Sequence, residues 1–188
     1  MKFRKLKENE IECRIGQIKV NGLSLLLYKD ARVDMSILDE TVGAMNWKRE
    51  HTRDNANCIV SIYDKDKGEW VSKEDTGTES FTEAQKGLAS DSFKRACVNW
   101  GIGRELYSAP FIWVKAEYCN LIKSGDKFKC YDTFRVARIT YKENGDIDGL
   151  VIGNEKTGKV VFTRMPKEAK TTDKVENAKQ LIKQQFGD

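Results

Sequence analysis

Apolar positions recur along this chain with two different periods, and the switches between them mark out its elements. Residues 11–28 carry two extended runs, IECRIGQIKV and LSLLLY, interrupted at Asn21-Gly22. Extended runs on either side of an Asn-Gly pair predict a β-hairpin. From Asp34 to Met45 the spacing lengthens to three and four, with Met35, Leu38, Val42 and Met45 along one face and Asp34 placed to cap a helix. Strand-like patterning returns in NWKREHTRD, NCIVSIYD and EWVSKED. Asp54-Asn55 and Asp64-Lys65-Asp66-Lys67-Gly68 supply turn chemistry between these three runs.

Helical spacing resumes over 80–100. Ser80-x-x-Glu83 and Thr82-x-x-Gln85 both fit a capping box at its start, and Gly101 and Gly103 fit its stop. Ala89, Phe93, Ala96, Cys97 and Trp100 fall on one stripe. Three antiparallel strands followed by a helix that covers one of their faces make a β-β-β-α unit. Beyond it, APFIWV, YDTFRVARITYKENGDIDGLVIGN and KTGKVVFTR read as further strands, with turns at Asn144-Gly145 and Thr157-Gly158. The expected class is α+β: a β-β-β-α core, an antiparallel sheet covered by a central helix, with an added N-terminal hairpin and a C-terminal β segment. Residues 1–165 are expected to form one domain. Residues 166–188 are expected to form a charged tail, with a short amphipathic helix through Val175, Ala178, Ile182 and Phe186.

Composition narrows the class of protein. Over 188 residues, 39% are apolar and 33% charged, enough for a core beneath a heavily charged surface. The net charge of +4 excludes a strongly basic, histone-like polypeptide but permits a local basic groove. The start MKFRKLKENEIEC is too charged for a signal peptide, and no apolar run reaches the length of a membrane span. A soluble protein of a bacterial host cytosol is the expectation. The five cysteines (Cys13, Cys58, Cys97, Cys119, Cys130) are odd in number and widely spaced, which suits reduced structural thiols.

The candidate chemistry lies in the central helix. Lys94 and Arg95 sit about 100° and 200° around the helix from Phe93, off the apolar stripe. Periodicity alone gives them a solvated face; phosphate contact requires other cations at the same place. Arg32 before the first helix, Arg104 after the glycine break, and Arg49, His51 and Arg53, taken as one face of a strand, are the cations available for that. Tyr28, Trp47 and Trp100 read first as core residues and second as surfaces for base stacking. Asp64, Asp66 and Glu69 read as a solvated turn because the EF-hand pattern is not completed. No phosphate-binding G-x-x-x-x-G-K-[ST] loop occurs, and a single histidine with unclustered cysteines gives no zinc spacing. No catalytic residue, nucleotide or metal is therefore expected.

Three blocks in fixed order give the chain a resemblance. They are LLLYKDARVDMSILDETVGAMNW, then EDTGTES after a strand hairpin, then KGLASDSFKRACVNWGIGRELY, spanning about 24–107. The first has a tyrosine, a short spacer, Arg-Val and a helix ending at Asn-Trp; the second an acidic-x-Gly turn; the third Asp-x-x-Lys-Arg-Ala before a glycine-containing break. In this the chain resembles phage and prophage single-strand annealing proteins of the superfamily of the eukaryotic recombination protein Rad fifty-two. The resemblance implies a β-β-β-α core that assembles into homo-oligomeric rings or filaments, with a basic groove that holds the backbone of single-stranded DNA and leaves its bases free to pair. By motif it assigns the groove cations to Arg32, Lys94 and Arg95, and by position it relates Lys65 and Lys67 to an outer DNA path. Residues 111–165 depart from the eukaryotic pattern, with strands that either extend the sheet or build subunit contacts.

The implied activity needs no nucleotide: cations displace counterions from phosphates, so binding is salt-sensitive and tolerant of sequence. It would serve recombination and repair. The tail is read in three ways: packing on the domain, mediating subunit contacts, or docking a partner such as a host single-strand-binding protein. Two other functions stand as alternatives, the first because its class also pairs a sheet with a basic helix. One is a monomeric module reading double-stranded RNA or duplex shape; the other is a metal-dependent nuclease.

Overall fold

The switches of period in the sequence correspond to changes of secondary structure in the computed structural model, which describes residues 1–78 and 84–166. In chain order the elements are β1 (Glu12–Lys19), β2 (Gly22–Tyr28), α1 (Ala31–Val42), β3 (Trp47–Thr52), β4 (Asn57–Asp64), β5 (Glu69–Thr76) and α2 (Ala84–Trp100). There follow β6 (Ile112–Lys115), β7 (Leu121–Ser124), β8 (Lys127–Cys130), β9 (Phe134–Tyr141), β10 (Ile147–Asn154) and β11 (Val160–Arg164). The fold is α+β, with antiparallel strand pairing throughout. No helix among the described residues is long and apolar enough to cross a membrane. The proposed capping boxes and the tail helix lie outside the described residues.

The chain divides into two compact units. The first comprises Met1–Lys5 and Asp30–Arg104. Its sheet runs β3-β4-β5, in continuous register from Trp47↔Ile62 to Thr52↔Asn57 and from Asn57↔Thr76 to Asp64↔Glu69. Strand alternation sends Cys58, Val60 and Ile62 of β4 into the core, where all three are buried. Helix α2 answers with a buried stripe of Leu88, Ser92, Phe93, Ala96 and Cys97. This is the β-β-β-α unit that the sequence predicts, widened by Leu88 and by a buried serine.

Helix α1 departs from its expected frame. It begins three residues before the predicted start, capped by Asp30, whose carboxylate accepts the Arg32 backbone N–H at 2.7 Å. Asp34 is not the cap: it is fully buried on the stripe with Ile37 and Leu38. Met45, assigned to the apolar face, is 90% exposed. Two aspartates four residues apart both suit a cap, and the burial that separates them is a tertiary property. Arg53 likewise leaves its predicted strand. β3 ends at Thr52 because Arg53, Asp54 and Asn55 all take positive φ, a conformation incompatible with an extended ladder.

The second unit comprises Leu6–Lys29 and, among described residues, 105–166. Its main sheet has the order β11-β10-β9-β1-β2-β6, and the end strands β6 and β11 contact each other, so the sheet curls toward closure. Leu23, Leu25, Ile112, Val114, Val136, Leu150 and Ile152 are buried within this unit. The Tyr141 hydroxyl donates to the Leu6 carbonyl at 2.8 Å, and the Leu6 N–H to Glu105 Oε1 at 2.8 Å, fixing the start of the unit. The later strands therefore join the N-terminal hairpin in a sheet of their own and do not extend β3-β4-β5. A separate hairpin, β7 with β8, turns at Gly125 (φ 62°) and had no counterpart in the predicted elements.

Candidate nucleic-acid interface

Local chemistry bolts α2 to the sheet beneath it. Ser92 Oγ donates to the Asn55 carbonyl at 3.0 Å, Asn99 Nδ2 to the Glu74 carbonyl at 2.8 Å, and Trp100 Nε1 to the Val60 carbonyl at 3.0 Å. Lys73 Nζ donates to the Asn99 carbonyl at 2.9 Å and also lies 4.7 Å from the centre of the Trp100 ring. The helix stops where Gly101 takes φ 101°, its N–H bonding the Val98 carbonyl. Gly77 sets how closely the exit of β5 approaches α2. A Cβ placed there would lie 2.5 Å from the Ser92 backbone nitrogen and 2.8 Å from the Leu88 carbonyl oxygen. The acidic-x-Gly motif is thus a packing requirement: only glycine lets these two backbones touch.

With the helix so oriented, Lys94 and Arg95 take opposite flanks of its outer arc. Arg95 turns to β5, where Nε meets Asp75 Oδ1 at 3.3 Å, its side chain 43% exposed. Lys94 belongs with the start of α1, which packs against α2. The Asp30 carboxyl there is held below its usual range, first by hydrogen bonds from the Arg32 side chain and backbone, then by the charges of Arg32 and Lys94. Arg32 Nε and Nη2 reach the two Asp30 oxygens, each at 3.1 Å, and the Arg32 side chain remains 85% exposed. Arg32 and Lys94, sixty-two positions apart in sequence, thus stand on two helices packed together, with the Lys94 charge felt at the carboxylate that Arg32 pairs with.

Arg49 joins the same flank from the sheet. Its guanidinium lies 4.9 Å over the ring of buried Phe93, which is stacked on Trp47 at 6.1 Å. Trp47 in turn donates to Asp39 of α1 at 2.6 Å, so β3, α1 and α2 meet through one aromatic pair. His51 follows on that strand face. Its Nδ1 is 3.4 Å from Ser92 Oγ, and burial, then the Arg49 charge, lowers its pKa below the ordinary value. Protonation is disfavoured in the folded state, so folding loses stability as pH falls below about 6.5 toward the lower folded value. As this is the sole histidine, one imidazole resonance followed by NMR is expected to titrate below 6.5 in the native protein and to return to the ordinary value in denaturant.

The remaining candidates have other settings. Arg104 donates from Nε and Nη2 to the Val98 carbonyl (3.2 and 2.9 Å) and from Nη2 to the Asn99 carbonyl (3.1 Å), closing the end of α2. Arg53 is exposed in the β3–β4 turn. Lys65 and Lys67 occupy the β4–β5 turn, at the other end of β4, and Lys67 lies 3.9 Å from Glu69. Asp64 Oδ1 accepts the backbone N–H groups of Asp66 and Lys67, which accounts for the acidic residue there as turn chemistry. Trp47 and Trp100 are committed to the contacts given above. Missing from the sequence reading were the acidic partners Asp30 and Asp75; the signal available was their place in the YKDAR and EDTGT motifs.

The family model described as Rad52/22 family double-strand break repair protein matches residues 4–123. The chain belongs to that family, whose proteins bind DNA and anneal it in recombination and repair. No curated protein and no solved structure matches the chain.

Proposed function

We propose that the protein binds single-stranded DNA along the flank formed by α1, α2 and β3, and anneals complementary strands without a nucleotide cofactor. The observation that carries this reading is the exposed Arg32 fork at the start of α1, a helix packed on the one that carries Lys94, with Arg49 reaching over Phe93 of that same helix. Arg32 supplies a planar fork and Lys94 a point charge, the two kinds of donor that suit a phosphate backbone. Arg95 extends the cationic surface toward β5. Arg104 borders it at the C-terminal end of α2, Arg53 in the β3–β4 turn is a further candidate, and Lys65 and Lys67 are candidates for a separate, outer path. Contacts of this kind hold a strand by its backbone, leaving bases available to pair. In this reading subunits assemble as a homo-oligomer, residues 1–165 act as the annealing domain, and a phage-type recombination pathway in a bacterial cytosol is the setting. A host single-strand-binding protein is the partner proposed for the tail.

The test is annealing of two complementary labelled oligonucleotides, followed by fluorescence in buffer without ATP. Acceleration over the spontaneous rate, with binding that favours single-stranded DNA over duplex RNA, is the expected result. A monomer in light scattering that prefers duplex RNA would replace this reading with the duplex-binding one, and metal-dependent cleavage of the strands would replace it with a nuclease.

A further inference from the structure

Arg32 is highly exposed, yet its fork is already occupied. Nε and Nη2 each lie 3.1 Å from an oxygen of Asp30, the two-pronged geometry with which arginine also grips a phosphate. Asp30 stays where it is for a separate reason: it caps α1 through the Arg32 backbone N–H. The same carboxylate also feels the Lys94 charge. Arg95 is arranged alike, with Nε 3.3 Å from Asp75. Two of the three motif cations therefore face a fixed carboxylate of the chain itself.

We propose that Asp30 is an internal rival of the DNA phosphate, a positioning residue that orients the Arg32 fork and competes with the strand for it. The inference rests on the DNA-binding reading above and adds to it a device that limits affinity. A phosphate arriving at Arg32 exchanges one anion for another, so its net gain is smaller than that of a lone cation. A strand held this way leaves its site readily, which suits a protein whose bound strand must pass into a duplex.

Asp30→Asn tests this because asparagine caps a helix about as well as aspartate. Asp30→Ser, also a capping residue, serves as the second variant. Circular dichroism and thermal melting establish that each is folded. Fluorescence anisotropy with a labelled oligothymidylate then gives affinity over a series of salt concentrations. The expected result is about two- to five-fold tighter binding at moderate salt. The plot of log affinity against log salt should steepen by about 0.7, the contribution of one further single-strand phosphate contact. A cap with no other role changes neither quantity.

Arg32→Ala in the same assay separates the two readings. Weaker binding by Arg32→Ala with no change in the Asp30 variants overturns the rivalry and leaves the DNA site standing. Weaker binding by the Asp30 variants overturns it too, since the carboxylate would then only be orienting the fork. No change in any of the three removes Arg32 from the DNA site and the inference with it.

Discussion

Replacing Lys94 and Arg95 together by alanine is expected to lower affinity for single-stranded DNA by about one to two orders of magnitude, with the fold retained. Both side chains lie outside the buried stripe of Leu88, Ser92, Phe93, Ala96 and Cys97, so neither truncation opens a cavity. The structural cost is confined to the Arg95–Asp75 pair, which is part-exposed and of the kind worth roughly 1 kcal/mol or less. The β5 flank keeps its hold on α2 through Asn99 and Lys73. The two single variants should differ. Lys94→Ala removes the cation beside Asp30 and Arg32, whereas Arg95→Ala also leaves Asp75 as an unneutralised charge near the strand. Anisotropy titration of the three variants, each checked by circular dichroism, makes the comparison, and wild-type affinity in the double variant would remove these residues from the site.

Gly77→Ala is expected to be the most damaging single-methyl change in the β-β-β-α unit. The added carbon meets backbone atoms of Leu88 and Ser92, which cannot rotate away, at 2.8 and 2.5 Å. Relief requires moving α2 off β5, and with it Ser92 from Asn55 and Asn99 from Glu74. Overpacking of this sort costs about 1–3 kcal/mol and occasionally more. Chemical denaturation should show the loss directly, with DNA binding falling in parallel because α2 carries Lys94. An unchanged denaturation midpoint would show that the strand exit and helix are not tightly apposed. By contrast, Gly158→Ala meets nothing within 4 Å, so its cost is limited to backbone conformation at φ 64°.

These two substitutions show what was readable in the sequence. The β-β-β-α unit was legible because β4 is an apolar run that carries Cys58, Val60 and Ile62 inward, and because its flanking turns use aspartate, asparagine and glycine. The glycine after Asp75 was visible as a motif, but its reason, contact with the backbone of a helix eleven to fifteen residues on, is tertiary. The start of α1 was misread because Asp30 and Asp34 are chemically alike as caps and differ only in burial. The β7–β8 hairpin escaped notice because its strands are four residues long and largely exposed, Ile122 at 44%, leaving no apolar face to read.

The candidate site was legible residue by residue and not as an arrangement. Lys94 and Arg95 are neighbours in sequence but face different flanks, a consequence of the roughly 100° step between helical residues once the buried stripe is fixed. Arg32 and Lys94 are far apart in sequence but lie on neighbouring helices because α1 packs on α2. Arg53 fell outside the strand face because three left-handed residues end β3. Carboxylates beside the cations had no signal in charge counting, where Asp30 and Asp75 merely cancel Arg32 and Arg95. Each sets a fixed anion against one of the motif cations.

The salt dependence of single-stranded DNA binding tests the central claim most directly. For wild-type protein, log affinity should fall linearly with log salt, and Lys94→Ala should make that slope shallower by about 0.7, as loss of one phosphate contact requires. A slope in Lys94→Ala equal to that of the wild type would contradict a phosphate-binding role for the α1–α2 flank.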